Sequence, residues 1–227
     1  MIAIILAAGK GTRLGQGFKA FVEIQGETLL EKTASVFKAL EQVDMRLAVV
    51  PKTEINRSRD LLGPDWQVLA GGEQRMDSLG TAVEFIKHMP ASTVVLVHDV
   101  ARPFVKKKLC EEIIEDFENG DADLVAPAIE AVDAAKFIGK SGNYVVASIS
   151  KQRVRLVQTP QLTRLQVLID GLTVAQQTGR IAVDEAQLVE WLGGRVHLIP
   201  GDQRNFKITT PFDLKVARCL ASGGECD

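Results

Sequence analysis

Short apolar runs alternate with helical patterns along most of the chain. The runs have the length of single strands and are rich in β-branched residues, as is typical of buried strands. They lie at Ile2–Leu6, Leu47–Val50, Val94–Val97, Leu124–Ala126 and Val196–Ile199. Apolar residues at helical spacing predict helices over Thr28–Glu41, Asp77–Met89, Lys106–Glu118, Thr163–Gln177 and Asp184–Leu192. This alternation predicts an α/β fold with a mainly parallel sheet and helices on both faces.

One interval breaks the alternation. Ala134–Ile138 and Tyr144–Ile149 are two short runs on either side of the turn-forming segment Gly139–Asn143, a pattern that predicts a β-hairpin. A hairpin inserted into such a fold either projects as an arm or extends one edge of the sheet, and the pattern alone leaves both possibilities open. The sequence contains no repeat or linker, so we expect one domain over residues 1–227, with the hairpin inserted at about 132–152.

Composition and charge exclude several classes of protein. The chain of 227 residues is 46% hydrophobic and 25% charged, which suits one large domain with a sizeable core. Its net charge of −2 gives no global field that would favour nucleic acid or a membrane surface. The apolar runs are too short to span a bilayer, and the first strand is not preceded by a signal-like segment, so we expect a cytoplasmic protein. Cysteines and histidines are scattered, which does not favour a His/Cys metal site.

The first strand leads directly into a glycine-rich loop, Leu6–Arg13, which reads Leu-Ala-Ala-Gly-Lys-Gly-Thr-Arg. In open α/β sheets, ligands bind at the carboxyl ends of the strands, and glycine lets the backbone come close to a phosphate. Lys10, Arg13 and Lys19 add positive charge. The loop therefore predicts a polyphosphate site, although an ordinary glycine-containing turn between a strand and a helix is the alternative.

Two familiar nucleotide-binding motifs do not fit this loop. A P-loop requires Ser or Thr after its Gly-Lys pair, but Gly11 follows Lys10 here. A dinucleotide fingerprint requires a third glycine where this chain has Leu14. The sequence therefore predicts neither a P-loop nor a nicotinamide-binding motif.

Further polar groups are expected at the same edge of the sheet. Asp99 and Arg102 follow the strand Val94–Val97; a carboxylate there can hold Mg²⁺ on a polyphosphate, and Arg102 can orient Asp99 or a phosphate. A structural ion pair in a turn is the alternative. Gly71–Ser78 predicts a base pocket, a helix cap formed by Asp77 or Ser78, or both.

Two later segments complete the set. Gln158–Gln161 reads Gln-Thr-Pro-Gln, and Asn205–Leu214 places Lys207 on a predicted short strand before a helix that is capped near Thr210. A solvated lysine is the ordinary alternative for Lys207.

Taken in order, these blocks resemble the 2-C-methyl-D-erythritol 4-phosphate cytidylyltransferase family of non-mevalonate isoprenoid biosynthesis. The resemblance covers essentially the whole chain; it depends most on Val97–Pro103 and Asn205–Leu214, because the glycine loop alone indicates only a broader group of sugar-nucleotide transferases. It implies a Rossmann-like, nucleotide-diphospho-sugar transferase-like fold in a single cytidylyltransferase domain. It also implies a projecting β-arm that forms a homodimer.

The resemblance implies transfer of CMP from CTP to 2-C-methyl-D-erythritol 4-phosphate, with release of pyrophosphate and with Mg²⁺ bound by Asp99. The residues that it assigns to catalysis are Arg13, Lys19, Asp99 and Lys207. Those assigned to the nucleotide are Ala7, Ala8, Gly9, Gly11, Gly72, Glu73, Ser78 and Val100. Those assigned to the acceptor are Asp99, Arg102, Ala134, Lys151, Thr159, Val183 and Lys207.

Several positions depart from the family's pattern. Lys19 stands one residue closer to Arg13 than usual. On the acceptor side, Ala134 and Val183 replace hydroxyl residues and Lys151 replaces an arginine, which loses the arginine's bidentate fork. These changes leave the acceptor open, and a cytidylyltransferase for another alditol phosphate, such as ribitol 5-phosphate, is the alternative. A non-catalytic nucleotide-binding protein is less consistent with the retained charged residues.

Overall fold

The computed structural model describes residues 1–15 and 17–223, and all of their side chains except that of Arg13. Its strands are β1 (Ile2–Leu6), β2 (Glu23–Ile24), β3 (Glu27–Thr28), β4 (Met45–Val50), β5 (Trp66–Ala70), β6 (Val94–Asp99), β7 (Leu124–Glu130), β8 (Lys136–Ile138), β9 (Val145–Ser148), β10 (Arg155–Val157), β11 (Gln161–Arg164) and β12 (Val196–Pro200). Its α-helices are α1 (Leu29–Lys38), α2 (Ile55–Leu62), α3 (Arg75–Ile86), α4 (Lys107–Asn119), α5 (Leu165–Thr178), α6 (Glu185–Trp191) and α7 (Pro211–Ala221).

In the described part of the chain, eight strands form the main sheet, and β1 lies near its centre. β1 pairs in parallel with β4 and β6, and β4 pairs in parallel with β5. Beyond β6 the sheet is mixed, because β11 runs antiparallel to β6 and β7, and β10 antiparallel to β7, whereas β12 is parallel to β7. The register sets Leu6 opposite Asp99, so the glycine-rich loop and the end of β6 lie at the same edge.

Side chains of β1 enter two different hydrophobic cores. Ala3 and Ile5 pack with the core that contains Phe37 of α1, whereas Ile2 and Ile4 pack with the core that contains Leu79 of α3. Successive side chains of a strand point to opposite faces, so a strand covered by helices on both sides is apolar along its whole length. This arrangement confirms the predicted α/β class with helices on both faces.

Most of the predicted elements are present, with ends that differ by a few residues. The prediction was wrong for Thr163 and Arg164, which belong to strand β11 rather than to the following helix. It was also wrong for Lys207, because the segment 205–209 is irregular and is held by contacts such as the bond from the Ile208 amide to the Ala101 carbonyl at 2.8 Å. The helix after Lys207 does begin at a Thr210 cap, as expected: the Thr210 hydroxyl accepts the Asp213 amide at 3.2 Å.

The hairpin of β8 and β9 is an arm and not an extension of the main sheet. The two strands pair antiparallel, with Phe137 opposite Ala147, in a separate two-stranded sheet. Every residue of both strands is exposed. Within residues 1–15 and 17–223, the helices are all too short or too polar to cross a membrane.

Candidate active site

A cavity of about 240 Å³ lies at the carboxyl ends of β1 and β6. The residues predicted for the nucleotide and for catalysis that line it are Ala8, Gly9, Gly11, Lys19, Gly72, Glu73, Ser78, Asp99, Val100 and Lys207. The structure thus brings together segments that are far apart in the sequence. Ala7 does not line the cavity; it is buried in the core, and its amide donates to the Val49 carbonyl at 2.7 Å. The Arg13 side chain lies outside the described part of the chain.

The glycine-rich loop curls back on itself at Gly11. Gly11 has a φ of +61°, and a Cβ there would lie 2.7 Å from the Gly17 carbonyl oxygen and 2.8 Å from Lys19 Cγ. Only glycine satisfies both the left-handed backbone and the close approach. The turn places Lys19 beside the segment that follows Phe206, where Lys19 Nζ donates to the Ile208 carbonyl at 3.0 Å.

The second loop, Gly71–Gln74, packs directly against the first. A Cβ on Gly71 would lie 2.3 Å from the Ala8 Cβ and 2.8 Å from Ser78 Oγ. A Cβ on Gly72 would lie 2.2 Å from the Asp77 Cβ. The residue that caps α3 is Gln74, not Asp77 or Ser78 as predicted; Asp77 is the third residue of the helix, and its carboxylate accepts the Gln74 amide at 2.9 Å. Gly71 is therefore required by the contact between the two loops, and Gly72 by its contact with Asp77 of α3; Ala8 and Gly72 line one wall of the cavity.

Four charged side chains, Glu185, Arg75, Asp99 and Lys207, form what we call the ion-pair chain. Arg75 donates from Nη1 and Nη2 to the two carboxylate oxygens of Glu185, at 2.7 and 2.9 Å. Its Nε donates to Asp99 Oδ1 at 2.9 Å, and Lys207 Nζ donates to Asp99 Oδ2 at 2.6 Å. The Glu185 side chain is completely buried, so its charge is compensated inside the protein. The ion-pair chain joins the starts of α3 and α6 to the end of β6.

Asp99 is a carboxylate at all ordinary pH values because of these partners. Burial would raise the pKa of Asp99, but the charges of Arg75 and Lys207 and their hydrogen bonds outweigh burial and hold this pKa well below its usual range. Burial likewise opposes the charge of Arg75, while Glu185 and Asp99 raise the pKa of its guanidinium.

Binding of Mg²⁺ by Asp99 stays a prediction, which this arrangement does not favour. Both oxygens of Asp99 already accept hydrogen bonds from cationic groups, which oppose a further positive charge. Across residues 1–15 and 17–223, His, Cys, Asp and Glu side chains do not gather in threes that would hold a metal ion. An anion in the cavity would therefore meet cationic side chains and backbone groups of the protein. Among the described residues, Mg²⁺ would meet no ready set of ligands.

A second set of hydrogen bonds fixes the backbone of Asp99. The Asp99 amide donates to Thr159 Oγ1 at 3.1 Å, and that hydroxyl lies 3.1 Å from His98 Nδ1. His98 Nε2 lies 3.1 Å from the Arg102 carbonyl, which can only accept, so Nε2 carries the proton and Nδ1 accepts from Thr159. Burial lowers the pKa of His98 to about 4, so the ring is neutral at physiological pH.

Two acceptor-side expectations look different in the structure. The Arg102 guanidinium does not hydrogen-bond the Asp99 carboxylate: its Nη1 donates to the Asn205 carbonyl at 2.8 Å, and only the Arg102 backbone amide donates to Asp99, at the Asp99 carbonyl and 3.0 Å. Asp99 Oδ1 instead accepts a hydrogen bond from Arg75 Nε. Thr159 is 4% exposed and its hydroxyl is occupied as described, so direct contact of Thr159 with a phosphate stays a prediction that this geometry does not favour.

The three acceptor-side residues that depart from the family's pattern lie outside the cavity. Ala134, Lys151 and Val183 are all exposed. Lys151 Nζ donates to the Val132 carbonyl at 3.3 Å, near the base of the arm. Ala134 and Lys151 therefore do not reach the cavity of their own chain in this conformation, and their assignment to the acceptor stays a prediction.

Sequence reasoning missed Arg75 and Glu185. Arg75 is the first residue of α3, where a positive charge is disfavoured by the helix dipole, and this conflict was a signal of a special role. Glu185 begins α6 directly after its cap Asp184, which is the ordinary place for an acidic residue and carried no such signal.

This fold and cavity define an α/β nucleotidyltransferase. Residues 1–222 match the model of the family described as 2-C-methyl-D-erythritol 4-phosphate cytidylyltransferase, and the chain belongs to that family. A protein of that name from Saccharopolyspora erythraea is 35% identical over 225 residues, which cover 97% of this chain and 98% of that protein. A protein of the same name from Geobacillus kaustophilus is 35% identical over 224 residues, which cover 96% and 95%.

Solved structures agree with this assignment. The 4-diphosphocytidyl-2C-methyl-D-erythritol synthase from Anaerococcus prevotii has a TM-score of 0.83 and 26% identity, and the match covers 97% of this chain and 95% of that chain. The 2-C-methyl-D-erythritol 4-phosphate cytidylyltransferase from Thermus thermophilus has a TM-score of 0.76 and 30% identity, with 97% and 98% covered.

We expect the free energy of unfolding to depend on pH through His98. Its folded pKa is about 4, against about 6.5 for an unfolded histidine. Between these values the unfolded chain binds more protons than the folded chain. The contribution of His98 to the free energy of unfolding is therefore fully present above about pH 6.5. It is lost as the pH falls through the folded pKa, by about 3 kcal/mol in total.

Urea unfolding across this pH range measures the effect, with His98→Gln as the comparison because glutamine does not titrate. The variant is expected to be less stable at neutral pH and to have a flatter pH dependence. Equal slopes for both proteins would show that His98 is not responsible.

Proposed function

We propose that this chain transfers CMP from CTP to 2-C-methyl-D-erythritol 4-phosphate, which gives 4-diphosphocytidyl-2-C-methyl-D-erythritol and pyrophosphate. The family membership over residues 1–222 carries the proposal. It is supported by a cavity that joins two glycine-rich loops to Lys19 and Lys207, which suits a nucleotide with a chain of phosphates. Retention of Lys19, Asp99 and Lys207 in that cavity favours an enzyme over a protein that only binds nucleotides.

The chemistry is an in-line displacement. A phosphate oxygen of the acceptor forms a bond to the α-phosphorus of CTP, the bond from that phosphorus to the bridging oxygen breaks, and pyrophosphate leaves with the electron pair. No covalent intermediate with the protein is required, so the protein contributes by positioning and by stabilising charge. We assign Arg13 and Lys19 to the triphosphate and Lys207 to the phosphates that react.

The two loops suit the rest of the nucleotide. Gly9 has open space around its Cβ position, which leaves room for a phosphate against the backbone of the first loop. Ala8, Gly72, Glu73 and Ser78 are assigned to the cytosine base. Ser78 is 3% exposed, and its hydroxyl lies 3.3 Å from the Gln74 carbonyl, so a base at this wall would meet the Ser78 side chain at the edge of the cavity.

We propose that Mg²⁺ enters as part of the substrate, Mg²⁺–CTP. Mg²⁺ commonly binds substrate phosphates and keeps several waters, so it does not need a cage of protein ligands. This proposal is consistent with the engagement of both Asp99 oxygens by Arg75 and Lys207.

We propose further that two copies assemble through the arm. The arm exposes large apolar side chains, namely Phe137, Ile138, Tyr144, Val145 and Val146. A patch of this kind is typical of an interaction surface. Lys151 and Ala134 lie at the base of the arm, so a second copy whose cavity receives the arm would place them on its acceptor side. A cytoplasmic location agrees with two phosphorylated, membrane-impermeant substrates.

The first expected result concerns the acceptor. Pyrophosphate release from Mg²⁺–CTP should be fast with 2-C-methyl-D-erythritol 4-phosphate and at least about tenfold slower with ribitol 5-phosphate. The acceptor-side departures from the family's pattern are expected to leave this preference in place, because the hydrogen bonds that they remove shift it by only a few kcal/mol. Preference for ribitol 5-phosphate would instead mean that Ala134, Lys151 and Val183 define a different acceptor site.

The second expected result concerns Lys207. Lys207→Ala should lower kcat/KM by about 100- to 1,000-fold, because a cation aimed at developing charge is lost. Lys215→Ala is the matched control, since Lys215 is an exposed lysine of α7 that does not line the cavity, and it should keep full activity. Equal kinetics for the two variants would remove Lys207 from the mechanism.

The third expected result concerns assembly. The unaltered chain should sediment at about twice the 24.7 kDa mass of one copy. Phe137→Lys should produce single copies with reduced turnover, because a charge in an apolar interface is costly. Phe212→Lys changes another exposed phenylalanine, on α7, and should leave the dimer intact. A fully active single copy of the unaltered chain would contradict the assignment of the arm.

A further inference from the structure

Arg75 contacts both of the carboxylates beside the cavity, yet neither the sequence nor the proposed reaction gives it a role. We propose that Arg75 is a positioning residue, which holds Asp99 in place so that Lys207 can leave Asp99 and move to the phosphates of the substrates. This inference rests on the proposed function and adds a residue to it.

The contacts of Arg75 require an arginine. Its guanidinium uses two nitrogens for Glu185 and the third, Nε, for Asp99 Oδ1 at 2.9 Å. The planar fork allows all three bonds at once, whereas a lysine presents one nitrogen and cannot span both carboxylates in the same way. Because Glu185 is completely buried and bound twice, Arg75 is anchored from the side opposite to Asp99.

Lys207 is held much less firmly than Arg75. Its side chain is 39% exposed, against 21% for Arg75, and it belongs to an irregular segment instead of a helix. Lys207 meets Asp99 through a single hydrogen bond at 2.6 Å. When an anionic ligand enters the cavity, Lys207 is therefore the partner of Asp99 that is more easily redirected.

Asp99 needs a cation while Lys207 is away. The Asp99 side chain is only 9% exposed, and a buried carboxylate without a partner is strongly disfavoured. Arg75 supplies that cation on the other carboxylate oxygen. In a chain without Arg75, Asp99 would retain Lys207, and the lysine would be unavailable to the nucleotide.

The test is a set of four proteins, all in a Glu185→Gln background, so that removal of Arg75 does not leave a buried carboxylate unpaired. The first protein carries no further change. The other three carry Arg75→Met, Asp99→Asn, or both substitutions. Methionine matches the length of the arginine stem without its charge. The measurement is the dissociation constant of CTP by calorimetry in the absence of acceptor, so that the result does not depend on turnover.

We expect Arg75→Met to weaken CTP binding about tenfold when Asp99 is present, and by less than about threefold when position 99 is asparagine. The loss is smaller with asparagine because its uncharged side chain does not retain Lys207, so the lysine is available to CTP even without Arg75. A general defect in folding, or a direct contact of Arg75 with CTP, would produce the same factor in both backgrounds, and equal factors would overturn the proposal.

Thermal unfolding of each protein is measured first. If Arg75→Met does not fold, Arg75→Lys takes its place in the same scheme, with a smaller effect of the same sign expected and equal factors again overturning the proposal. Failure of the unaltered chain to bind CTP would overturn the proposed function, and this inference with it, whereas normal CTP binding with equal factors would overturn only the role of Arg75.

Discussion

The shared carboxylate of Asp99 is the interaction on which the site depends. It stands at the end of a central strand, one oxygen facing Arg75 and the other facing Lys207. Buried ion pairs contribute little net stability, because the cost of removing charges from water offsets their attraction. Their effect here is spatial. Removing Arg75 would take both of its hydrogen bonds from the buried Glu185 carboxylate, so the end of β6 and the first turns of α3 and α6 must keep their relative positions.

The sheet provides the rigid side of this arrangement. Parallel pairing places the ends of β1 and β6 next to each other, and the Val100 amide donates to the Leu6 carbonyl at 3.1 Å just beyond the paired residues. The hydrogen bonds from the Asp99 amide to Thr159 and from Thr159 to His98 add a second constraint from β6 and the loop before β11. The charged side chains of the site thus lie at strand ends and helix starts, while the glycine-rich loops let the backbone come close to a ligand in the cavity.

Much of the fold followed from the sequence because strands buried on both faces have an unmistakable pattern. Ile2–Leu6 is apolar at every position and was predicted with its observed bounds. Strand β5 was missed because polar Gln67 interrupts its apolar residues, and β11 because Leu162 continues the helical spacing of α5. Helix α2, with few apolar residues, was also missed. The hairpin was predicted, but only tertiary pairing could decide between an arm and a sheet edge.

The candidate site was predicted in the same uneven way. Residues in local motifs, such as Gly11 and Asp99, were found because their type and position are informative within a few residues. The ion-pair chain around Asp99 was not, since Arg75 and Glu185 are far apart in the sequence and only the tertiary fold brings the starts of α3 and α6 together, and nothing local records that contact. Arg102 was assigned to Asp99 because it is close in sequence, whereas Asn205, far along the chain, receives its hydrogen bond.

The contact between Gly71 and Ala8 also limits how this cavity can vary among descendants of the chain. Any side chain at position 71 would occupy space that the methyl group of Ala8 already fills. A larger residue at either position would force the two loops apart and widen the wall that faces the nucleotide. Substitutions at positions 71 and 8 are therefore coupled by this contact, although the two positions are distant in the sequence.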